Sequence, residues 1–222
     1  MVGAIVVAAG RAERMGGKEK VWAPLGAWPV VGHALVALRD AGVVERVALV
    51  VTPERLDDSE ALLRRVGLPG VACVGGARRQ DSVRAGLVAL GPCEWVVVHD
   101  GARPFVTPGL VRAGLRAARK TGAAVAAVPV TDTIKLVADS LVEATLPRER
   151  LRAVQTPQVF RYDLLWEAHH RPSPPEATDD AALVEALGHP VVVYPGAYDN
   201  IKITTPEDLV LAEHVCRRRR CE

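Results

Sequence analysis

The stretch Ala4-Ile5-Val6-Val7-Ala8-Ala9-Gly10-Arg11-Ala12-Glu13-Arg14-Met15-Gly16-Gly17-Lys18-Glu19-Lys20 decides how this chain is read. A wholly apolar run breaks into small residues, and two arginines and two lysines follow within about ten positions. Continuous Ile/Val without polar alternation suits a strand covered on both faces. Small residues let the backbone approach a ligand closely, and their N–H groups can point at anionic oxygens. The reading is a phosphate site at the carboxyl end of a parallel strand. The competing reading is an ordinary strand with a tight solvated loop. Gly10 and Gly16 fit neither the Walker A spacing nor the dinucleotide Gly-x-Gly-x-x-Gly pattern.

The elements that follow extend this pattern. Strands are expected at Val2–Ala8, Arg46–Val51, Val71–Val74, Trp95–His99, Ala123–Pro129 and Pro190–Tyr194. Helices are expected at Val30–Asp40, Pro53–Val66, Asp81–Leu90, Pro108–Thr121, Thr178–Leu187 and Thr205–Arg218. Thr178 reads as a cap, with Asp179 and Asp180 in the first turn. This βαβα rhythm predicts an α/β fold, a mostly parallel sheet covered by helices. Ligands of such sheets bind beyond the carboxyl ends of the strands. That aligns the Ala8–Lys20 loop, Gly75–Ser82 and Asp100–Arg103 along one edge. After Pro129 the rhythm changes. Residues 131–152 read as an ordinary surface hairpin or as an extended arm that packs on a second subunit. The segment 171–176 is a proline-rich loop.

Composition limits the rest. The 222 residues suit one domain, with 49% hydrophobic and 24% charged residues. Aromatics make up 4%, so the core must be Ala, Val and Leu. A net charge of +2 is too small to argue for nucleic-acid or membrane binding, and neither partner is expected. Arg217–Arg220 reads as the basic end of a C-terminal helix rather than a nucleic-acid tail. The four cysteines form no C-x-x-C pair, so free thiols and a cytoplasmic location are expected. No cationic segment precedes the first apolar run, and that run is too short to span a bilayer.

Three further segments carry chemistry. In Val96-Val97-Val98-His99-Asp100-Gly101-Ala102-Arg103-Pro104 an apolar strand ends on a carboxylate. Asp100 can hold Mg²⁺, which takes one or two carboxylates plus phosphate oxygens, or it can simply be a turn residue. Gly75-Gly76-Ala77-Arg78-Arg79-Gln80-Asp81-Ser82 suits ligand contacts at a helix start, or a plain glycine turn. In Asp199-Asn200-Ile201-Lys202 the lysine can serve an anion or sit in solvent.

Taken in order, these segments resemble the 2-C-methyl-D-erythritol 4-phosphate cytidylyltransferases of the non-mevalonate isoprenoid pathway. Asp132-Thr133 and Thr156-Pro157-Gln158 add to the match, which covers essentially the whole chain. The resemblance implies a Rossmann-like nucleotidyltransferase fold in one domain, with a dimerisation arm at about 131–152. It implies transfer of CMP from CTP to methylerythritol phosphate, with pyrophosphate released and Mg²⁺ as cofactor. Arg14 and Lys20 match the family's catalytic pair. Ala8, Ala9, Gly10, Arg11 and Ala12 match the nucleotide loop. Gly76, Ala77 and Ser82 match the cytosine-reading segment, with Asp100 and Gly101 beside the nucleotide. Lys202 and Asp199 match alcohol-phosphate contacts. Thr133 and Arg148 match contacts that reach over from the other subunit of a homodimer. This chain departs from the family at Ala12, where a glycine is common, and at Ala77, where some relatives place an aspartate. It also has Glu19-Lys20-Val21-Trp22 in a slightly shorter loop, where Lys18 is a rival for the Lys20 position.

The chemistry agrees with that implication. A phosphate monoester has its second pKa near ~6 and is already anionic at neutral pH, so no general base is needed. What is needed is cationic charge around the α-phosphorus. Two rivals stand beside this reading. One is a ribitol 5-phosphate cytidylyltransferase or another sugar-phosphate nucleotidyltransferase. The other is a non-catalytic nucleotide-binding protein.

Overall fold

The computed structural model describes residues 1–10, 20–171 and 177–220. Among them, seven strands form one sheet. They are β1 (Val2–Val7), β4 (Arg46–Val51), β5 (Gly70–Val74), β6 (Trp95–Asp100), β7 (Ala123–Pro129), β10 (Arg152–Arg161) and β11 (Val192–Pro195). The order across the sheet is β11-β7-β10-β6-β1-β4-β5. All neighbours run parallel except β10, which is antiparallel to both β6 and β7. Two short strands, β2 (Pro24–Leu25) and β3 (Trp28–Pro29), pair apart from the sheet. A separate hairpin joins β8 (Ile134–Ala138) to β9 (Leu141–Leu146).

The unalternating apolar strands are explained by burial on both faces. Ala4 and Val6 of β1 pack in the cluster that includes Leu35, Leu38, Val111 and Leu115. These come from α1 (Val30–Asp40) and α4 (Pro108–Ala118). Ile5, pointing the other way, packs with Val83, Leu87 and Leu165. They belong to α3 (Arg79–Leu90) and α5 (Tyr162–His170). Helices α2 (Leu56–Val66) and α6 (Asp180–Ala186) extend the two layers. A third cluster, including Leu25, Phe105 and Ile203, lies under α7 (Pro206–Arg220).

Several boundaries shift for local reasons. The expected 53–66 helix divides into a 3-10 turn at Pro53–Arg55 and α2. Helix α3 begins two residues early, because Arg78 caps it and the Asp81 carboxylate accepts the Arg78 N–H at 3.3 Å. Helix α6 is capped by Asp179, not Thr178, its carboxylate accepting the Ala182 N–H at 2.9 Å. Asp180 then opens the helix and is fully buried. The proline-rich loop falls mostly outside the described residues. Within residues 131–152, β8 and β9 pair as an antiparallel hairpin.

The largest departure is β10 with α5, where the sequence reading places no element. Pro157 lacks an N–H and breaks a strand pattern. The structure accommodates it in an irregularity. Pairing to β7 lapses between Val154 and Gln158, and pairing to β6 starts only at Gln158. The polar groups of the lapse find other partners. Tyr194 donates to the Pro157 carbonyl at 2.8 Å and Asn200 to the Thr156 carbonyl at 2.8 Å.

Phe160 of β10 is fully buried and anchors that strand. Phe160→Ala is expected to cost about 3–5 kcal/mol. The thermal midpoint then falls on the order of 10 °C for a chain of this size. An unchanged midpoint in a melting experiment contradicts the placement of β10 in the core.

Candidate active site

Strand β4 follows β1 on one side of the sheet, and β6 flanks β1 on the other. The connections therefore diverge at the carboxyl ends of β1 and β6, where α/β proteins bind ligands. Val7 and Asp100 are register partners at that point, and the Gly101 N–H donates to the Val7 carbonyl at 2.8 Å. A cleft of about 770 Å³ opens there.

The described lining contains four cationic side chains, Lys20, Arg78, Arg79 and Lys202, against one carboxylate, Asp100. Ala8, Ala9, Gly10, Gly75, Gly76, Ala77 and Ser82 supply small walls. A Cβ on Gly75 would stand 2.4 Å from the Ala9 Cβ and 2.7 Å from Ser82 Oγ, so only glycine allows that approach. Ser82 Oγ accepts the Gly76 N–H at 3.2 Å and shapes the same corner.

Asp100 is the electrostatic centre. Lys202 Nζ lies 2.9 Å from its Oδ2, Arg79 Nε 3.3 Å from Oδ1 and Arg103 Nε 3.7 Å from Oδ2. Burial pushes its pKa up, but Arg79, Lys202 and Arg103 outweigh that and hold it well below the usual carboxylate range. Lys202 is brought there by backbone pairing. Ile203 N–H donates to the Ala102 carbonyl at 2.9 Å, and Arg103 donates to the Asn200 carbonyl at 2.8 Å. The main chain of Asp100 donates to Thr156 Oγ1 at 3.0 Å.

His99 lies beneath this layer, fully buried. Its Nε2 stands 3.1 Å from the Arg103 carbonyl and its Nδ1 3.0 Å from Thr156 Oγ1. A carbonyl only accepts, which assigns the proton to Nε2 and leaves Nδ1 to accept from the Thr156 hydroxyl.

Lys20 sits in a 3-10 turn, Lys20–Trp22, whose Val21 is buried. Arg11, Ala12, Arg14 and the rival Lys18 lie outside the described residues. Gly101 does not line the cleft but packs behind it, where a Cβ would meet the Val7 carbonyl at 3.1 Å. Asp199 is also absent from the lining and pairs with Arg219 at 2.8 Å. Thr133 and Arg148 are exposed near the hairpin, with Arg148 donating to the Thr131 carbonyl at 3.0 Å. Arg79, Asp180 and His169 escaped the sequence reading as site residues. Only Arg79 had a visible signal, its place in a basic segment at a helix start.

A cationic cleft at the switch point of a mostly parallel sheet is where α/β proteins bind anionic ligands such as nucleotides. The chain belongs to the 2-C-methyl-D-erythritol 4-phosphate cytidylyltransferase family, whose model matches residues 2–218. A relative of that description from Dehalococcoides mccartyi is 49% identical over 99% of this chain and 97% of its own length. The crystal structure of a 4-diphosphocytidyl-2C-methyl-D-erythritol synthase from Anaerococcus prevotii superposes with a TM-score of 0.87. That pair is 30% identical, covering 97% of this chain and 98% of the other. A 2-C-methyl-D-erythritol 4-phosphate cytidylyltransferase from Thermus thermophilus gives 0.80 at 39% identity, covering 96% and 98%.

Burial pushes His99 down to about 4, from an ordinary value of 6.5. Between those values the unfolded chain binds the extra proton, so stability falls as pH falls. The expected contribution approaches about 1.4 kcal/mol per pH unit. Denaturant titrations across that range check it. His99→Gln is expected to lose this part of the slope, and an unchanged slope contradicts it.

Proposed function

We infer that this protein transfers CMP from CTP to 2-C-methyl-D-erythritol 4-phosphate, giving 4-diphosphocytidyl-2-C-methyl-D-erythritol and pyrophosphate. The observation that carries the reading is the Asp100 cluster within a cleft lined by Lys20, Arg78, Arg79 and Lys202. A phosphate monoester oxygen attacks the α-phosphorus, and the bond to the α–β bridging oxygen breaks. The attacking oxygen is already ionised, so the residues need not remove a proton. Their task is to neutralise and align two anions.

The small residues Ala8–Gly10 and Gly76–Ala77 allow the nucleotide to approach the backbone. Lys20, with Arg14 shortly before it in the sequence, offsets the charge that builds at the α-phosphorus. Lys202 offers its ammonium to the incoming alcohol phosphate while staying tethered to Asp100. Asp100 is the one carboxylate among the described lining residues, and it is held ionised. Its donor chemistry fits a Mg²⁺ ion that takes most of its ligands from phosphate oxygens and water. Asp100 would hold such an ion, which would supply Lewis-acid neutralisation of phosphate charge.

A homodimer belongs to the same reading. The hairpin leaves Leu136, Val137, Leu141 and Val142 between 50% and 72% exposed. A second copy of the chain would cover them. Thr133 and Arg148 lie away from the lining of their own cleft, which suits a contribution to the partner's site. Among the described residues no helix is long and apolar enough to cross a membrane. The free thiols Cys73 and Cys93 suit a reducing cytoplasm.

Pyrophosphate release from CTP tests the reading, with methylerythritol phosphate and ribitol 5-phosphate supplied in parallel. The expected result is release with methylerythritol phosphate at least about tenfold faster in kcat/KM. Faster release with ribitol phosphate moves the substrate assignment. No release with either overturns the transferase.

A further inference from the structure

Behind the cleft lies a chain of charge that the transfer reaction does not itself use. Arg79 opens α3 and lines the cleft. Its Nη1 lies 2.6 Å from Asp180 Oδ2, while its Nε makes a longer contact, 3.3 Å, to Asp100 Oδ1. Asp180 opens α6 and is fully buried. Its second oxygen, Oδ1, lies 3.0 Å from His169 Nε2 on α5. Asp180 is fully buried and is not among the described cleft-lining residues.

The two distances show which carboxylate grips Arg79. A guanidinium left alone with one carboxylate closes into a bidentate fork. Arg79 does not do this with Asp100. It makes its short contact with Asp180 and leaves Asp100 one long one. That restraint matters because Asp100 must face the nucleotide. Lys202 already holds Oδ2 at 2.9 Å, so a guanidinium folded over Asp100 would also take Oδ1, the oxygen left to face a ligand. Full burial costs Asp180 its hydration. Arg79 and His169 offset that cost, and the carboxyl group stays ionised, below its ordinary range despite burial.

We propose that Asp180, braced by His169, is a positioning residue that holds Arg79 back from Asp100 and so keeps Oδ1 of that carboxylate available to the incoming nucleotide. The proposal rests on the transferase reading of the cleft. It extends that reading to α5 and α6, which contribute no described lining residue of their own. Asp180 acts here only through Arg79. The consequence is thermodynamic: removing Asp180 matters when Arg79 is present and ceases to matter when it is not.

The test is a double-mutant cycle of Asp180→Asn and Arg79→Gln, read by calorimetric CTP binding without the alcohol substrate and by steady-state kinetics. Asp180→Asn alone is expected to weaken CTP binding, and to raise the KM for CTP, on the order of tenfold. On the Arg79→Gln background the same substitution is expected to have no further effect. An equal loss on both backgrounds overturns the proposal, because Asp180 then acts on the fold and not through Arg79. Unaltered CTP binding by Asp180→Asn also overturns it. If Asp180→Asn does not accumulate as folded protein, His169→Gln runs the same cycle. It retains the Asp180 charge, and a smaller loss confined to the Arg79 background is expected. Loss on both backgrounds again overturns the proposal. If the unsubstituted enzyme binds CTP yet releases no pyrophosphate, the transferase reading fails, while the binding arm still decides the role of Asp180.

Discussion

The structure turns on one carboxylate surrounded by three cations. Asp100 ends β6 and meets Lys202, Arg79 and Arg103 within 4 Å. Those cations come from widely separated parts of the chain. Arg79 stands at the start of α3, Arg103 follows β6, and Lys202 precedes α7. Holding them together requires the switch point between β1 and β6, the Gly75 approach to Ala9 and the Ile203 bond to Ala102. An ionised carboxylate in a buried place is favourable only because these cations are there.

The irregularity in β10 serves the same centre. Gln155, Thr156 and Pro157 fall where regular pairing lapses, which frees their polar groups for partners outside the ladder. Thr156 Oγ1 accepts the Asp100 N–H and meets His99 Nδ1. The Thr156 carbonyl accepts from Asn200, and Gln155 donates to the Ala197 carbonyl. A strand that ran through this point without interruption would spend the same groups on its ladder. The antiparallel strand thus fixes both the loop that carries Lys202 and the floor beneath Asp100.

Much of this was legible from residue patterns. Val2–Val7, Val47–Val51, Trp95–Val98 and Ala123–Pro129 are apolar without alternation, and burial on both faces leaves that signal. Helix α1 was legible because its apolar spacing ends at Asp40, just before Gly42. Among the cleft-lining residues, Ala8–Gly10 and Asp100 stood out at strand ends and Gly76 and Ser82 in a segment suited to ligand contacts at a helix start, whereas Lys202 was marked out by the family resemblance alone. Strand β10 was not legible, since Pro157 interrupts its pattern and its partners β6 and β7 are distant in sequence. Asp180 looked like a first-turn helix residue, because nothing local reveals that Arg79, about a hundred positions earlier, will lie 2.6 Å away. Long-range charge pairing has no sequence period, so only the folded sheet discloses it. Asp199 matched the family pattern by position, yet here it meets Arg219 of α7.

If Asp100 organises the transfer site, it does so through its charge and not merely its shape. Asp100→Asn keeps the size of the side chain and removes that charge. The decisive measurement is pyrophosphate release by Asp100→Asn from CTP and methylerythritol phosphate, in protein whose folding is checked by circular dichroism. The expected result is a folded variant whose turnover falls by on the order of a hundredfold or more. A folded Asp100→Asn enzyme that turns over within a few-fold of the unsubstituted one contradicts that role for the charge.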